Sequence, residues 1–311
     1  MAATTRVSGI GGGAPAPATR TTAPDLRAQK SWRRTKSGIM QGLMGASIVV
    51  ALLPVVFVVI TVIGKGASSL FTDFPKFLTA SIPNQERKVG PGMGPAVIGT
   101  LLITALATVI AVPLGILGAV YLHEYGGKSP FAKVVRFLSN VMTGVPSIVM
   151  GLFIYVIFTL NFGYSGLGGA LALAFLMLPI IIRSVEVMLK LVPSSLREAS
   201  YALGTSKSRT VLTVVLPSAL PGVISGCLLA VARAAGETAP LLFTIFTVNQ
   251  TNGNVFQGPN TTLSRQIFSN ALSSLKGAQG RAWGAALTLL AIAFIFTIIA
   301  RIASARFSAK R

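Results

Sequence analysis

The chain has 311 residues, 52% hydrophobic and only 11% charged, with a mean hydropathy of +0.72. That composition belongs to a polytopic membrane protein and excludes an ordinary soluble domain. The formal net charge of +20 does not point to nucleic acid, because the basic residues sit between apolar runs without interleaved aromatics. A single cysteine, Cys227, and a single histidine, His123, argue against a disulfide framework and against a Cys- or His-based metal centre. The 7 Asp and Glu residues leave little for acid–base catalysis, and there is no G-x-x-x-x-G-K-S/T nucleotide loop.

In chain order, residues 1–37 are rich in Ala, Thr, Gly, Pro and basic side chains, which predicts a disordered tail. Its basic group, Lys30, Arg33, Arg34 and Lys36, suits the cytoplasmic side beside anionic headgroups. Crossing the hydrocarbon core takes about 20 apolar residues. Six runs qualify: roughly 39–64, 94–122, 137–160, 166–190, 218–247 and 282–304. Lipid offers no partner for free backbone groups, so these must be helices, and none alternates like a barrel strand. The expected fold is an all-α polytopic membrane protein with six transmembrane helices. Residues 38–93 hold the first helix and an extracytoplasmic segment, 94–304 the helical core, and 305–311 a C-terminal tail. Lys and Arg are denser around 1–37, 128–136, 190–209 and 301–311 than in 65–93 and 248–281, which predicts an N-in/C-in orientation. The polar segments 65–93 and 248–281 are long enough to meet an extracytoplasmic partner.

Two runs carry ionisable side chains. Arg183 and Glu186 are three apart in the fourth, and Arg233 and Glu237 four apart in the fifth, spacings that place each pair on one helix face. Intramembrane charges are costly and mark bundle interiors or wet paths. Arg233 falls near the middle of its run, whereas Arg183 and Glu186 lie nearer the cytoplasmic end. Pro179 and Pro240 free the carbonyls of Phe175 and Gly236, so both arginines lie near expected helix irregularities. A guanidinium is a permanent planar fork of donors that suits an oxyanion, and Glu237 would restrain Arg233 at rest. Gly115, Gly118, Gly144 and Gly151 read as packing glycines.

Between the fourth and fifth runs lies REASYALGTSKSRTVLTVVLP, residues 197–217. Residues 194–203 favour helix. Ser194 or Ser195 is a plausible N-cap, with Glu198 placed to complete a capping box. Gly204 suits a left-handed position after the helix. A second short helix fits 206–215, with Pro217 opening the next segment. Glu198, Ala199, Ser200, Gly204, Val214, Leu216 and Pro217, with Arg197 just ahead of them, fall in the register E-A-S-x-x-x-G-x9-V-x-L-P. This resembles the EAA loop of ABC importer permeases, with Ser200 in place of the second Ala and Val214 in place of Ile.

Further stretches extend the likeness: YLHEYG (121–126), TGVPSIVMGLF (143–153), VLPSALPGVISG (215–226) and ARAAGETAPLLFT (232–244). Together they resemble the PstA family, permease subunits of the bacterial phosphate-specific ABC importer, over roughly 94–304. The resemblance implies a type I ABC importer permease fold with a coupling loop at about 191–217. It implies a PstC-like permease as heterodimer partner, a PstB-like ATPase dimer on the cytoplasmic face, and a PstS-like phosphate-binding protein outside. Arg183, Arg233 and Glu237 then correspond to positions linked to phosphate passage, with Glu186 and Thr238 beside them. The chain would bind no cofactor, since ATP and Mg²⁺ would sit on the partner ATPase. A permease for phosphonate, sulfate or molybdate, the PstC-like sister subunit, and an ATP-independent anion transporter are the alternatives.

Overall fold

A computed structural model describes residues 32–83 and 92–309, and among them no strand occurs. The tail up to residue 31 and the segment 84–91, with Arg87, Lys88, Gly90 and Pro91, lie outside the described residues. The helices are α1 (Trp32–Phe71), α2 (Lys76–Thr79), α3 (Gly94–Tyr125), α4 (Pro130–Gly144), α5 (Ser147–Phe162) and α6 (Gly166–Lys190). They continue with α7 (Ser194–Ala202), α8 (Lys207–Ala235), α9 (Leu241–Thr244), α10 (Leu263–Ala271) and α11 (Lys276–Ala309). Five helices, α1, α3, α6, α8 and α11, are long and apolar enough to cross a membrane, and α4 with α5 makes six if that bent pair is one span.

Contacts divide the chain after Val55. Before that point lies the first part of α1, whose apolar side chains, Ile39, Leu43, Ile48 and Leu52 among them, are exposed. The unit from Val56 onward holds the rest. Its core is built where α3 packs along α6, and α6 along α8. Ile103, Ala107 and Ala111 meet Leu173, Met177 and Ile181, with Val223 and Ala230 closing the third side. Small residues allow this approach. A Cβ added at Gly115 would overlap Ile181, one at Gly226 would overlap the Ser184 hydroxyl, and one at Gly151 would overlap Pro240. Gly144, by contrast, has nothing near it and marks the end of α4.

Four sequence expectations change. The third run, 137–160, is two helices that meet at 111° around Val145 and Pro146. Pro146 disfavours helix at the residue before it, and Val145 is extended (ψ 130°). The fifth run is displaced: α8 starts at Lys207 and ends at Ala235, before the apolar stretch that suggested a span to 247. Pro217 does stand at the opening of the helical stretch Leu216–Ala235, but that stretch runs on from the short helix before it instead of starting a separate one. A π-turn at Val211–Val215 widens the coil ahead of it, so α8 passes through a proline that cannot donate its i−4 bond. At the termini, α1 already begins at Trp32 and α11 continues to Ala309, so the edges of both expected tails are helical.

Opposite the α7 end, the segment between α9 and α10 folds over the starts of α3 and α6. Gly166 N–H donates to Asn260 Oδ1 at 2.9 Å, Leu167 N–H to the Val255 carbonyl at 2.7 Å, and Leu263 N–H to Thr100 Oγ1 at 2.9 Å. Asn260, Thr261, Thr262 and Gln266 are buried in this polar belt. It satisfies helix-start donors that have no intrahelical partner.

Candidate functional site

The α7 hairpin follows directly from the end of α6. Pro193 occupies the N-cap in extended backbone, and no side chain caps the helix. The expected Ser194 or Ser195 cap with Glu198 therefore does not form, because both serines already lie in the first turn. Glu198 and Ala199 are exposed. The other end follows the expectation. Gly204 has φ +75°, its N–H donates to the Tyr201 carbonyl at 2.9 Å, and Thr205 N–H donates to the Ser200 carbonyl at 3.3 Å. This paired arrangement is a Schellman stop, in which glycine tolerates the left-handed backbone.

Ser200 explains how α7 is tied to α8. Its buried hydroxyl lies 2.6 Å from Thr205 Oγ1 and 2.9 Å from Thr210 Oγ1, and those two threonines are 2.9 Å apart. The three hydroxyls form a closed triangle behind the exposed tip. Ser200→Ala should lower stability by about 1 kcal/mol, the usual net value of one hydrogen bond, because Thr205 and Thr210 retain each other. A thermal-melt comparison checks this. A loss above about 3 kcal/mol would mean that the triangle is more than a local tie.

Arg197 lies on the inner side of α7 and is the hub of the hairpin. Its Nη1 donates to the Val192 carbonyl at 2.7 Å, and its Nη2 donates to the Leu189 carbonyl and to Glu124 Oε1, both at 3.0 Å. Glu124 ends α3, its side chain is only 6% exposed, and it also holds His123 Nδ1 at 2.9 Å. One guanidinium thus joins α7 to the ends of both α3 and α6. Leu216 and Pro217 stand further along α8, half-buried.

The second polar place is midway along α6, at Pro179. A cavity of about 350 Å³ is lined there by Thr143, Pro146, Ser147, Pro179, Arg233 and Glu237, among others. Arg233 sits in the last turn of α8 instead of mid-helix, yet it shares this level with the centre of α6. Its Nε donates to Glu237 Oε1 at 3.3 Å, so the i,i+4 pair forms. The helix ends at Ala235, so Gly236, Glu237 and Thr238 continue as irregular backbone, and Pro240 caps the short α9. Backbone that leaves a helix at such a depth is tolerated where it lines a cavity.

Arg183 and Glu186 do not pair. Glu186 is buried and held by Arg136 of α4 at 3.2 Å and Lys190 at 3.6 Å, while Arg183 donates to Asn140 Oδ1 at 3.3 Å. Arg136 also donates to the Leu122 carbonyl at 3.1 Å. Glu186 is therefore an anchor between α4 and α6, and Arg183 remains exposed. Sequence reasoning named Arg197 but missed its partner Glu124, and it missed Arg136 and Asn140 altogether. A carboxylate ending an apolar run on the same side as a basic loop was the available signal for Glu124.

A hairpin helix stapled to the ends of two apolar helices, and a charged cavity midway along one of them, define a multi-pass membrane protein with a polar interior. Residues 111–309 match the family described as the binding-protein-dependent transport system inner membrane component. The phosphate transport system permease protein PstA of Yersinia pestis is 40% identical over 285 residues, 90% of this chain and 94% of its own length. PstA 1 of Mycobacterium tuberculosis H37Rv is 40% identical over 283 residues, 90% of each chain. The chain belongs to this PstA family of multi-pass membrane permeases. Solved structures agree on the fold. A chain of a bacterial ABC transporter for import of alginate superposes with a TM-score of 0.63 at 14% identity, covering 88% of this chain and 98% of its own. A chain of the inward-facing MetNI methionine ABC transporter gives 0.54 at 18% identity, covering 70% and 94%.

Proposed function

We propose that this chain is the membrane-spanning permease subunit of an ATP-driven importer of inorganic phosphate. The observation that carries the reading is the likeness to PstA permeases along nine-tenths of the chain. The chemistry supports it. Arg233 offers a phosphate oxygen a charge-assisted donor at mid-span, and Glu237 3.3 Å away competes for that guanidinium. Affinity stays moderate, so cargo can leave again. Arg183, exposed beyond Pro179 towards the α7 end, is the next cation on the way in.

The partners in this reading are a PstC-like permease, a PstB-like ATPase dimer that binds ATP and Mg²⁺, and a PstS-like binding protein that brings phosphate to the outer end. The α7 hairpin faces the cytoplasm, and its exposed Glu198, Ala199 and Leu203 seat in the ATPase. Closure of the ATPase dimer moves α7, and the Arg197–Glu124 staple passes that motion to α3 and α6. The cavity at Arg233 then alternates between the two sides. The chain itself hydrolyses nothing.

Uptake of radiolabelled phosphate tests this in a bacterial strain whose own PstA-type gene is deleted. Restoration by this chain with its partner subunits, competed by unlabelled phosphate and not by sulfate, is the expected result. Restoration of sulfate uptake instead would overturn the cargo.

A further inference from the structure

We propose that Arg265, with the hydroxyls of Tyr164 and Tyr155, forms a second oxyanion contact at the end of the protein opposite α7, where phosphate first enters the chain. This rests on the phosphate reading above. The belt of bonds from Asn260 to Leu263 fixes α10 against the starts of α3 and α6, and Thr262 Oγ1 accepts from Arg265 N–H at 3.3 Å. Arg265 is therefore held in place in the first turn of α10. Its Nε is buried and makes no hydrogen bond, and none of the ion pairs among the described residues includes it. Arg136, Arg197 and Arg233, by contrast, each hold a carboxylate. A half-buried guanidinium with an unmet donor carries a desolvation cost that a bound anion would remove.

The surroundings suit a small oxyanion. The Tyr155 and Tyr164 rings are 6.4 Å apart, and Tyr164 lies 5.5 Å from Phe246. Burial and then the neighbouring Tyr155 push the Tyr164 phenol upward, while the Arg265 charge pulls it the other way. Tyr164 thus keeps its proton at neutral pH and can donate it in a hydrogen bond. Tyr155 opens a π-turn in α5, Tyr155–Thr159, a local distortion that often accompanies functional positions.

The same residues lead to the cavity already described. Ser147 lines it, and Tyr155 is eight residues further along α5, about 12 Å at the helical rise. Phe243, on the short helix after Glu237, stacks 6.4 Å from Tyr155. An aromatic row thus runs from Tyr164 through Tyr155 to Phe243, on the segment that follows Glu237.

The test uses the whole transporter in lipid nanodiscs and proteoliposomes, with Arg265→Gln, Arg265→Lys and Tyr164→Phe. Radiolabelled phosphate uptake is measured at saturating loaded binding protein, and docking of phosphate-free binding protein is measured separately. Arg265→Gln should lower maximal uptake tenfold or more, Arg265→Lys should recover part of it, and Tyr164→Phe should lower it about threefold. Docking, basal ATP hydrolysis and the thermal midpoint should stay within twofold or a few degrees of the parent. Unchanged maximal uptake would overturn the proposal. So would weakened docking that excess binding protein rescues, since Arg265 would then grip the partner protein and not phosphate. If Arg265→Gln does not assemble, the Lys and Phe variants decide, and full uptake by both counts against the site. If the parent complex moves sulfate and not phosphate, the cargo reading fails as well, which separates that failure from this one.

Discussion

Arg197→Ala should leave a transporter that still hydrolyses ATP but no longer converts hydrolysis into uptake. The side chain has no substitute. It is the only contact among the described hydrogen bonds that joins α7 to the end of α3, through Glu124, and it also holds the carbonyls of Leu189, in the last turn of α6, and Val192, just after it. Removing it strands a carboxylate that is 6% exposed. Breaking a buried pair costs about 3–5 kcal/mol, and the low end applies here because His123 remains on Glu124. The expected phenotype is a fall in uptake of at least tenfold, with ATP hydrolysis retained but insensitive to loaded binding protein. Glu124→Gln should behave similarly but more mildly, because the amide still accepts one hydrogen bond. The double variant should cost less than the sum, as contacting residues do. Additive effects, or full coupling in Arg197→Ala, would show that motion reaches the spans by another route.

The second large effect belongs to the mid-span pair. Arg233→Gln should reduce phosphate uptake by two orders of magnitude or more, since the cavity then offers no cation at the level of Pro179. Arg233→Lys should recover little, because an ammonium lacks the planar fork. Glu237→Gln tests the restraint. With its partner neutral, Arg233 should hold phosphate longer, so turnover falls while apparent affinity rises. Wild-type turnover in Glu237→Gln would remove Glu237 from the mechanism and leave Arg233 standing.

Much of this architecture is legible in the sequence, and the failures have physical causes. Apolar length located the spans at 94–122 and 166–190 because those runs end at polar residues. It misplaced the fifth, since Leu241, Leu242 and Phe243 are as apolar as a span, and hydropathy does not register that the helix stops at Ala235, ahead of Pro240. It fused α4 and α5 because hydropathy does not register a proline bend. Residue spacing, here i,i+4, found Arg233 and Glu237, which pair even though Glu237 lies just past the end of α8. The same rule failed for Arg183 and Glu186, where Arg136 and Asn140 arrive from another helix. Pairing across elements, as in Glu124 with Arg197 or Ser200 with Thr210, has no one-dimensional signature. Gly204 was readable because a left-handed stop is a local property of the chain.

The central claim is that this chain couples a partner ATPase to phosphate. The most direct measurement is ATP hydrolysis by the complex that co-purifies with the tagged chain, reconstituted with its binding protein, in phosphate and in sulfate. Stimulation by phosphate alone is the predicted result. Stimulation by sulfate instead, or the absence of any co-purifying ATPase activity, would contradict it.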